Sequence, residues 1–299
     1  MQSLPVLDIS KFLFAGKSDD FYSSKLPKHL KEHRNHIDKP HKHSSYLVVL
    51  FTKGTGVHEV DFNSYKIKPG SVFLLNPGQT HHWELSKDID GYIFLHTKNF
   101  YNQLDSHNTI DSFPFFYSTQ NSPCIYLKQK SGKGIVNLFA DILNEYHTDF
   151  LLKYRKICSL IDILYIELSR LYLAENYPKV VRASNYSMKL KKLEQLINAK
   201  FTEIKSPAEY ASRMNMSTKH LNRIVQTLLG KSTSDLIADR VLLEAKRMLI
   251  HSENTISEIA EFLGYSDYSY FSRLFKNKCG ETPSEFAKHY QQEMNEVVL

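Results

Sequence analysis

From Ser45 to His96, apolar residues fall at alternate positions or in short runs broken by Gly, Pro, Asn and Ser. Tyr46–Phe51 ends at Lys53-Gly54-Thr55-Gly56. Val57–Phe62 alternates, and Asn63-Ser64 turns it back. Tyr65–Ile67 leads to Pro69-Gly70, Val72–Leu75 to Asn76-Pro77-Gly78, and His81–Leu85 to a polar turn before Gly91–His96. A period of two in short strands at this spacing predicts a β-sandwich or barrel. Beyond Gly134 the period becomes helical. Val136, Phe139 and Leu143, then Ile157, Ile161, Leu164, Leu168 and Leu171, predict two antiparallel helices over 135–147 and 151–175. The apolar face of the second helix is wide enough to need a partner. That partner is either the barrel or a second copy of the chain, with the second copy slightly favoured. Three stretches carry neither period: Lys25–Lys42, rich in Lys and His, reads as a solvated loop, Asn99–Lys130 as irregular, and 177–187 as an interdomain linker.

The C-terminal part contains one pattern twice. Ala211, Asn215 and Ser217 recur as Ala260, Gly264 and Ser266, at an offset of 49. Leu221, Arg223, Val225 and Gly230 recur as Phe271, Arg273, Phe275 and Gly280, at an offset of 50. The second copy therefore has one extra residue at the start of its second helix. Ser206-x-x-Glu209, Thr255-x-x-Glu258 and Thr282-x-x-Glu285 have the spacing of capping boxes, which fix helix starts. Gly264 stands where a helix end needs a positive φ, and Asn215 is the next most tolerant residue there. Each copy reads as helix–turn–helix, over 206–229 and 255–279. The second helix of each has a polar face. In the first copy this is Thr218, Lys219, Asn222, Arg223 and Gln226, and in the second Tyr268, Ser269, Tyr270, Arg273 and Lys276. Such faces suit a major groove, where Arg pairs with guanine and Asn with adenine. Ser217 and Ser266 begin these helices, where backbone N–H groups suit a phosphate. The helix between the copies, about 234–251, spans roughly 27–28 Å. Readers held that far apart suit successive major-groove segments about 34 Å apart.

Bulk charge adds little. The net charge is +6 over 299 residues with a pI near 8.9, and the basic surplus is spread over both halves. The argument for DNA rests on where the polar residues stand. Three scattered cysteines form neither a disulfide framework nor a CxxC site and suit a reducing compartment. With no long apolar run and no leader-like start, the expected location is cytoplasmic, at the nucleoid, with no membrane partner.

Two resemblances organise the functional reading. Pro40-His41-Lys42-His43, Gly54-Thr55-Gly56, Lys68-Pro69-Gly70-Ser71 and Pro77-Gly78-Gln79-Thr80-His81 resemble a cupin barrel. Residues 188–291 resemble the DNA-binding domain of the AraC/XylS family of bacterial transcription regulators. The residues that carry this are His220-Leu221-Asn222-Arg223, Gly230-Lys231-Ser232, Glu244-Ala245-Lys246-Arg247, Leu263-Gly264-Tyr265, Ser269-Tyr270-Phe271-Ser272-Arg273 and Gly280-x-Thr282-Pro283. That family often has an Arg after the final aromatic, where this chain has Phe286-Ala287-Lys288.

The expected fold class is α+β multidomain. It consists of a cupin-like effector domain (1–130), a helical pair (131–176), a linker (177–187) and an all-α double helix-turn-helix domain (188–299). The resemblance implies a sequence-specific DNA-binding transcription regulator controlled by a small molecule in the barrel. Expected effector contacts are His41, His43, Tyr46, His81 and Trp83. Trp83 reads equally as a stacking platform, for instance for a sugar, and as core. Metal-dependent cupins add a glutamate soon after the HxH pair, and Glu59 is too distant. No metal, cofactor or catalytic residue is therefore expected, and a metal-dependent isomerase or dioxygenase is the alternative. A DNA-repair role would need an activated cysteine, which the context of Cys124 and Cys158 does not supply. The expected partners are a double-stranded operator, the effector and a second copy through the 151–175 helix. The second reader also leaves room for contact with RNA polymerase.

Overall fold

A computed structural model of the chain describes residues 4–13, 19–102, 110–176, 184–252 and 254–297. The described strands are β1 (Val6–Leu7), β2 (Phe21–Lys25), β3 (His41–His43), β4 (Tyr46–Lys53), β5 (Gly56–Val60), β6 (Asn63–Ile67), β7 (Ser71–Leu75), β8 (Thr80–Leu85), β9 (Asp90–His96) and β10 (Cys124–Tyr126). The helices are α1 (Leu26–Ile37), α2 (Lys98–Asn102), α3 (Gln129–Tyr146), α4 (Lys153–Asn176), α5 (Ser184–Lys200), α6 (Pro207–Arg213), α7 (Thr218–Leu229), α8 (Thr233–His251), α9 (Ile256–Phe262), α10 (Tyr268–Cys279) and α11 (Pro283–Val297). Two compact units divide the chain between Met188 and Lys189.

In the first unit two five-stranded sheets face each other, ordered β1-β3-β8-β5-β6 and β10-β7-β4-β9-β2. The second sheet is covered on both faces, which explains the continuous apolar runs of β4 and β7. Leu47, Val49 and Phe51 of β4 point between the sheets, towards Phe73, Trp83 and Ile93. Tyr46, Val48 and Leu50 point the other way, into a core with Phe139, Ile157, Ile161, Leu164, Tyr165 and Leu168 of α3 and α4. The broad apolar face of α4 is therefore spent on its own barrel. Of its large apolar side chains, only Tyr154, Ile163 and Ile166 stand exposed, with Phe150, Leu151 and Leu152 just before the helix.

Several expectations need correction. The Lys/His-rich stretch after Lys25 contains α1 rather than a loop. Pro27 stands in its first turn, and Leu26, His29, His33 and Ile37 make its buried face. Two histidines occupy positions that a hydropathy pattern reserves for apolar side chains. The β5–β6 turn is at Asp61-Phe62, not Asn63-Ser64. Both turn residues have positive φ (48° and 65°), and Val60 pairs with Asn63. A two-residue hairpin with both residues left-handed is the type I′ turn, whose twist matches the flanking strands, and Phe62 gave no sign of it. Ser184–Ser187, expected in the linker, form the first turn of α5. The rest of that stretch, 177–183, lies outside the described residues.

The second unit is all helix. The repeat offsets are visible in its elements: α6 and α9 start 49 residues apart, α7 and α10 start 50 apart. Asn215 (φ 53°) and Gly264 (φ 81°) occupy the left-handed turn position of each copy. Of the three expected capping boxes, those at Thr255–Glu258 and Thr282–Glu285 form, whereas the Ser206 side chain caps nothing. A fourth forms at Ser232–Asp235, where Asp replaces the usual Glu or Gln. The buried residues here include Leu221, Ile224, Val225 and Leu228 of α7, Val241 and Ala245 of α8, and Phe271 and Phe275 of α10. Full burial of each large side chain contributes roughly 1.5–3 kcal/mol.

Candidate nucleic-acid interface and effector site

Burying those α7 and α10 residues inward leaves the opposite helix face outward. Thr218, Lys219, Asn222, Arg223 and Gln226 are exposed on α7, with Ser217 at its start. Tyr268, Ser269, Tyr270, Arg273 and Lys276 are exposed on α10, with Ser266 just before it. The 19-residue α8 joins the copies. Lys278, at the end of α10, reaches Asp235 in the first turn of α8 at 2.5 Å. That bond and the Ser232 hydroxyl hold the Asp235 carboxyl at about 2. The two readers thus share a helix and a cross-link. On α7, Arg223 Nη2 lies 2.9 Å from His220 Nδ1. On α10, Tyr270 stacks on Tyr265 with centroids 5.9 Å apart.

Two predicted positions, Asn222 and Ser266, sit differently from expectation. The Asn222 side-chain oxygen accepts from Thr233 N at 3.0 Å, so it caps α8. Bidentate pairing with adenine needs both ends of the amide, and one end is committed. The second copy has Ser272 and Pro283 at the matching positions. Proline has no N–H to satisfy, so no acceptor is needed. Ser217 caps α7 by accepting from His220 N at 3.2 Å. Its counterpart Ser266 caps nothing: Asp267 takes that place, accepting from Ser269 N and Tyr270 N at 2.7 and 3.2 Å. A carboxylate on the first turn stabilises the helix and repels a phosphate from the seat expected there. The extra residue of the second copy falls at this start.

In the barrel, β3 pairs antiparallel with β8, so His41 lies opposite His81. The pleat turns His43, His81 and Trp83 to the same interior as His41, while His82 faces away and is half-buried. His41, His43 and His81 each offer a ring nitrogen, all within 4.8 Å of one another. His41 Nε2 is 3.2 Å from His43 Nε2. His41 Nδ1 is 2.8 Å from the Lys39 carbonyl, to which it donates. His58 of β5 completes the group, with its Nε2 3.0 Å from His81 Nδ1. Trp83 packs its ring on His58 and His81, with centroids 5.3 and 5.1 Å away. Burial drives these imidazoles towards the neutral form: His41 is pushed to about 4 and His58 to about 3. His43 and His81 are also held well below the usual imidazole range, by burial first and then by their histidine neighbours.

Sequence reasoning missed His58, although its alternation with the inward Val60 marks the face. Tyr46 does not join the cluster. It faces the helices, stacks on His96 with centroids 5.4 Å apart, and hydrogen-bonds Asp111. Because β4 is buried on both sides, hydropathy held no clue to which way Tyr46 points.

Comparison with known proteins agrees with both units. A family model described as an AraC-like ligand binding domain matches residues 29–101, and one described as a helix-turn-helix domain matches 210–289. The arabinose operon regulatory protein of Escherichia coli (strain K12) is 21% identical over 271 residues, covering 88% of this chain and 87% of that protein. An HTH-type transcriptional regulator of Bacillus subtilis (strain 168), YfiF, is 23% identical over 260 residues, covering 84% and 79%. Among solved structures, ToxT from Vibrio cholerae is 15% identical, covering 90% of this chain and 98% of its own, with a TM-score of 0.43. No helix among the described residues is long and apolar enough to cross a membrane. The AraC-like ligand-binding domain and the helix-turn-helix domain, with relatives of this kind matched over most of their length, place the chain in the AraC family of transcriptional regulators, as a DNA-binding regulator controlled by an effector.

Proposed function

We propose that α7 and α10 enter adjacent major-groove segments of one operator. Arg223 and Arg273 read bases there, while Lys219, Lys276 and the start of α7 at Ser217 and Thr218 meet phosphates. The observation that carries this is the pair of exposed polar faces in matched copies, joined by α8. Gln226, Ser269, Tyr268 and Tyr270 complete the contact surface, Ser266 lies beside it, and Asn222 supports it from behind. The first copy carries more of the base-specific affinity: each face has one Arg and one Lys, but the start of α10 also carries the Asp267 carboxylate, which opposes the phosphates. The N-terminal domain (1–130, with the helical pair 131–176) takes the effector between its sheets, at His41, His43, His58, His81 and Trp83. The chain acts by binding rather than by catalysis, within the cytoplasm.

Self-association runs through the exposed Ile163 and Ile166 of α4, since the buried face of that helix is occupied. The second reader's outer face is the region offered to RNA polymerase. Effector and operator binding are linked, so each changes the affinity of the other by the same factor.

The test is fluorescence anisotropy on DNA from upstream of the chain's own gene, with scrambled DNA as reference. Arg223→Ala and Arg273→Ala should each remove about 1–3 kcal/mol of discrimination, the former more. Lys276→Ala should weaken both DNAs alike. Unchanged selectivity in both arginine variants would remove the reader assignment. For the dimer, sedimentation of Ile163→Glu/Ile166→Glu should shift to monomer, and an unshifted dimer would exclude this face.

A further inference from the structure

We propose that the barrel binds one divalent transition-metal ion of the zinc type on His41, His43 and His81, with His58 as the residue that orients His81. A zinc–imidazole bond is about 2.0–2.1 Å, so two nitrogens of a tetrahedral site stand roughly 3.4 Å apart. The His41 and His43 Nε2 atoms are already 3.2 Å apart. All three residues offer donors within 4.8 Å of one another, so closing the site on the ion needs only a small adjustment of the rings, on the order of 1 Å.

The hydrogen bonds around the cluster point the same way. His41 gives its Nδ1–H to the Lys39 carbonyl, which leaves the Nε2 lone pair facing the cluster. His81 Nδ1 faces His58 Nε2, and the other nitrogen, Nε2, is buried with no hydrogen-bond partner. His81 is 1% exposed. A buried polar atom left unpaired is costly, and an ion satisfies it. A ligating histidine that hands its second N–H to a fixed acceptor is the usual outer-shell arrangement of a metal site. Imidazole donors without thiolate or carboxylate suit zinc and its first-row neighbours rather than magnesium or calcium. Three protein ligands leave the fourth position to water or to an oxygen or nitrogen donor. The inference stands on the ion alone and does not depend on an organic effector or on DNA.

The experiment uses the full chain, stripped with chelator and titrated with Zn²⁺ against a fluorescent chelator, then with Co²⁺ in the visible region. Wild type should take up one equivalent, give the intense visible band of four-coordinate Co²⁺, and unfold at higher temperature by Trp83 fluorescence when Zn²⁺ is bound. Replacing a ligand, as His43→Gln or His81→Gln, should abolish tight binding. His58→Gln should weaken it by about tenfold to hundredfold, as loss of an outer-shell partner does. His82→Gln, on the opposite face, should leave it unchanged. Uptake that His43→Gln and His81→Gln retain would overturn the proposal, as would a wild-type Co²⁺ spectrum no different from the aqueous ion. Should the ligand variants fail to fold, the wild-type Co²⁺ spectrum and zinc stoichiometry decide alone.

Discussion

Gly264→Ala is the sharpest structural perturbation of the second reader. Gly264 sits at φ 81°, and a Cβ added there would lie 2.0 Å from the Thr202 carbonyl oxygen and 3.0 Å from Lys205 Nζ. The left-handed backbone costs a non-glycine residue roughly 1–2 kcal/mol. The contact with Thr202 is against backbone, held in turn by Lys205 Nζ, which donates to the Phe201 and Thr202 carbonyls at 2.6 and 2.9 Å. The turn can relieve it only by moving, and overpacking of that kind costs a further ~1–3 kcal/mol. The expected loss is about 2–5 kcal/mol, confined to the helical unit. The chain has one tryptophan, Trp83, and it lies in the β unit. Thermal unfolding followed by circular dichroism at 222 nm and by Trp83 fluorescence therefore separates the two units. Gly264→Ala should lower the dichroism midpoint and leave the Trp83 transition in place. Asn215→Ala, at the equivalent left-handed position of the first copy, should cost less, because Asn215 already carries a Cβ in that conformation and only its greater tolerance of it is lost. Equal midpoints for wild type and Gly264→Ala would refute the close-packing argument.

Other consequences are cheaper to check. Asn222→Ala removes the acceptor of the buried Thr233 start of α8 and should cost about 1–3 kcal/mol, read as a lower dichroism midpoint. Arg223→Ala, exposed on the same helix, should leave that midpoint unchanged while reducing operator selectivity. Burial pushes His96 to about 4, its Nε2 lying 2.6 Å from the Tyr165 hydroxyl. Its folded value is below the unfolded ~6.5, so the unfolded chain binds the extra proton. Stability from this group is complete above pH 6.5 and is lost as pH falls towards 4, amounting to about 2 kcal/mol at pH 5. The Trp83 transition should drop over that window, and His96→Gln should flatten the drop by its share; an unchanged slope would contradict the assignment.

What the sequence made legible follows from where each signal originates. The repeat could be read because α7 and α10 each bury residues at matching positions, and because the left-handed turn tolerates little besides Asn215 and Gly264. The strands β5 and β8 could be read because only one face of their sheet is covered. Where a sheet is covered twice, the pattern goes silent. The burial of β4 shows that it is a strand but not which way Tyr46 points. The helix α1 was hidden because His29 and His33 fill inward positions while keeping polar side chains. Asn222 misled for a different reason: its partner, Thr233, is on the next helix, and only the turn geometry brings them together. The histidine cluster was half visible, as His41, His43 and His81. His58 joins it through the β5–β8 register, which pairs it with Trp83.

The most direct test of the account is a hydroxyl-radical footprint of the full chain on its operator. Two readers joined by α8 predict two protected patches about 10 base pairs apart, on one face of the duplex. Arg223→Ala and Arg273→Ala should each fade a different patch. A single patch, or two patches that fade together with either variant, would contradict the claim that one chain reads two adjacent segments.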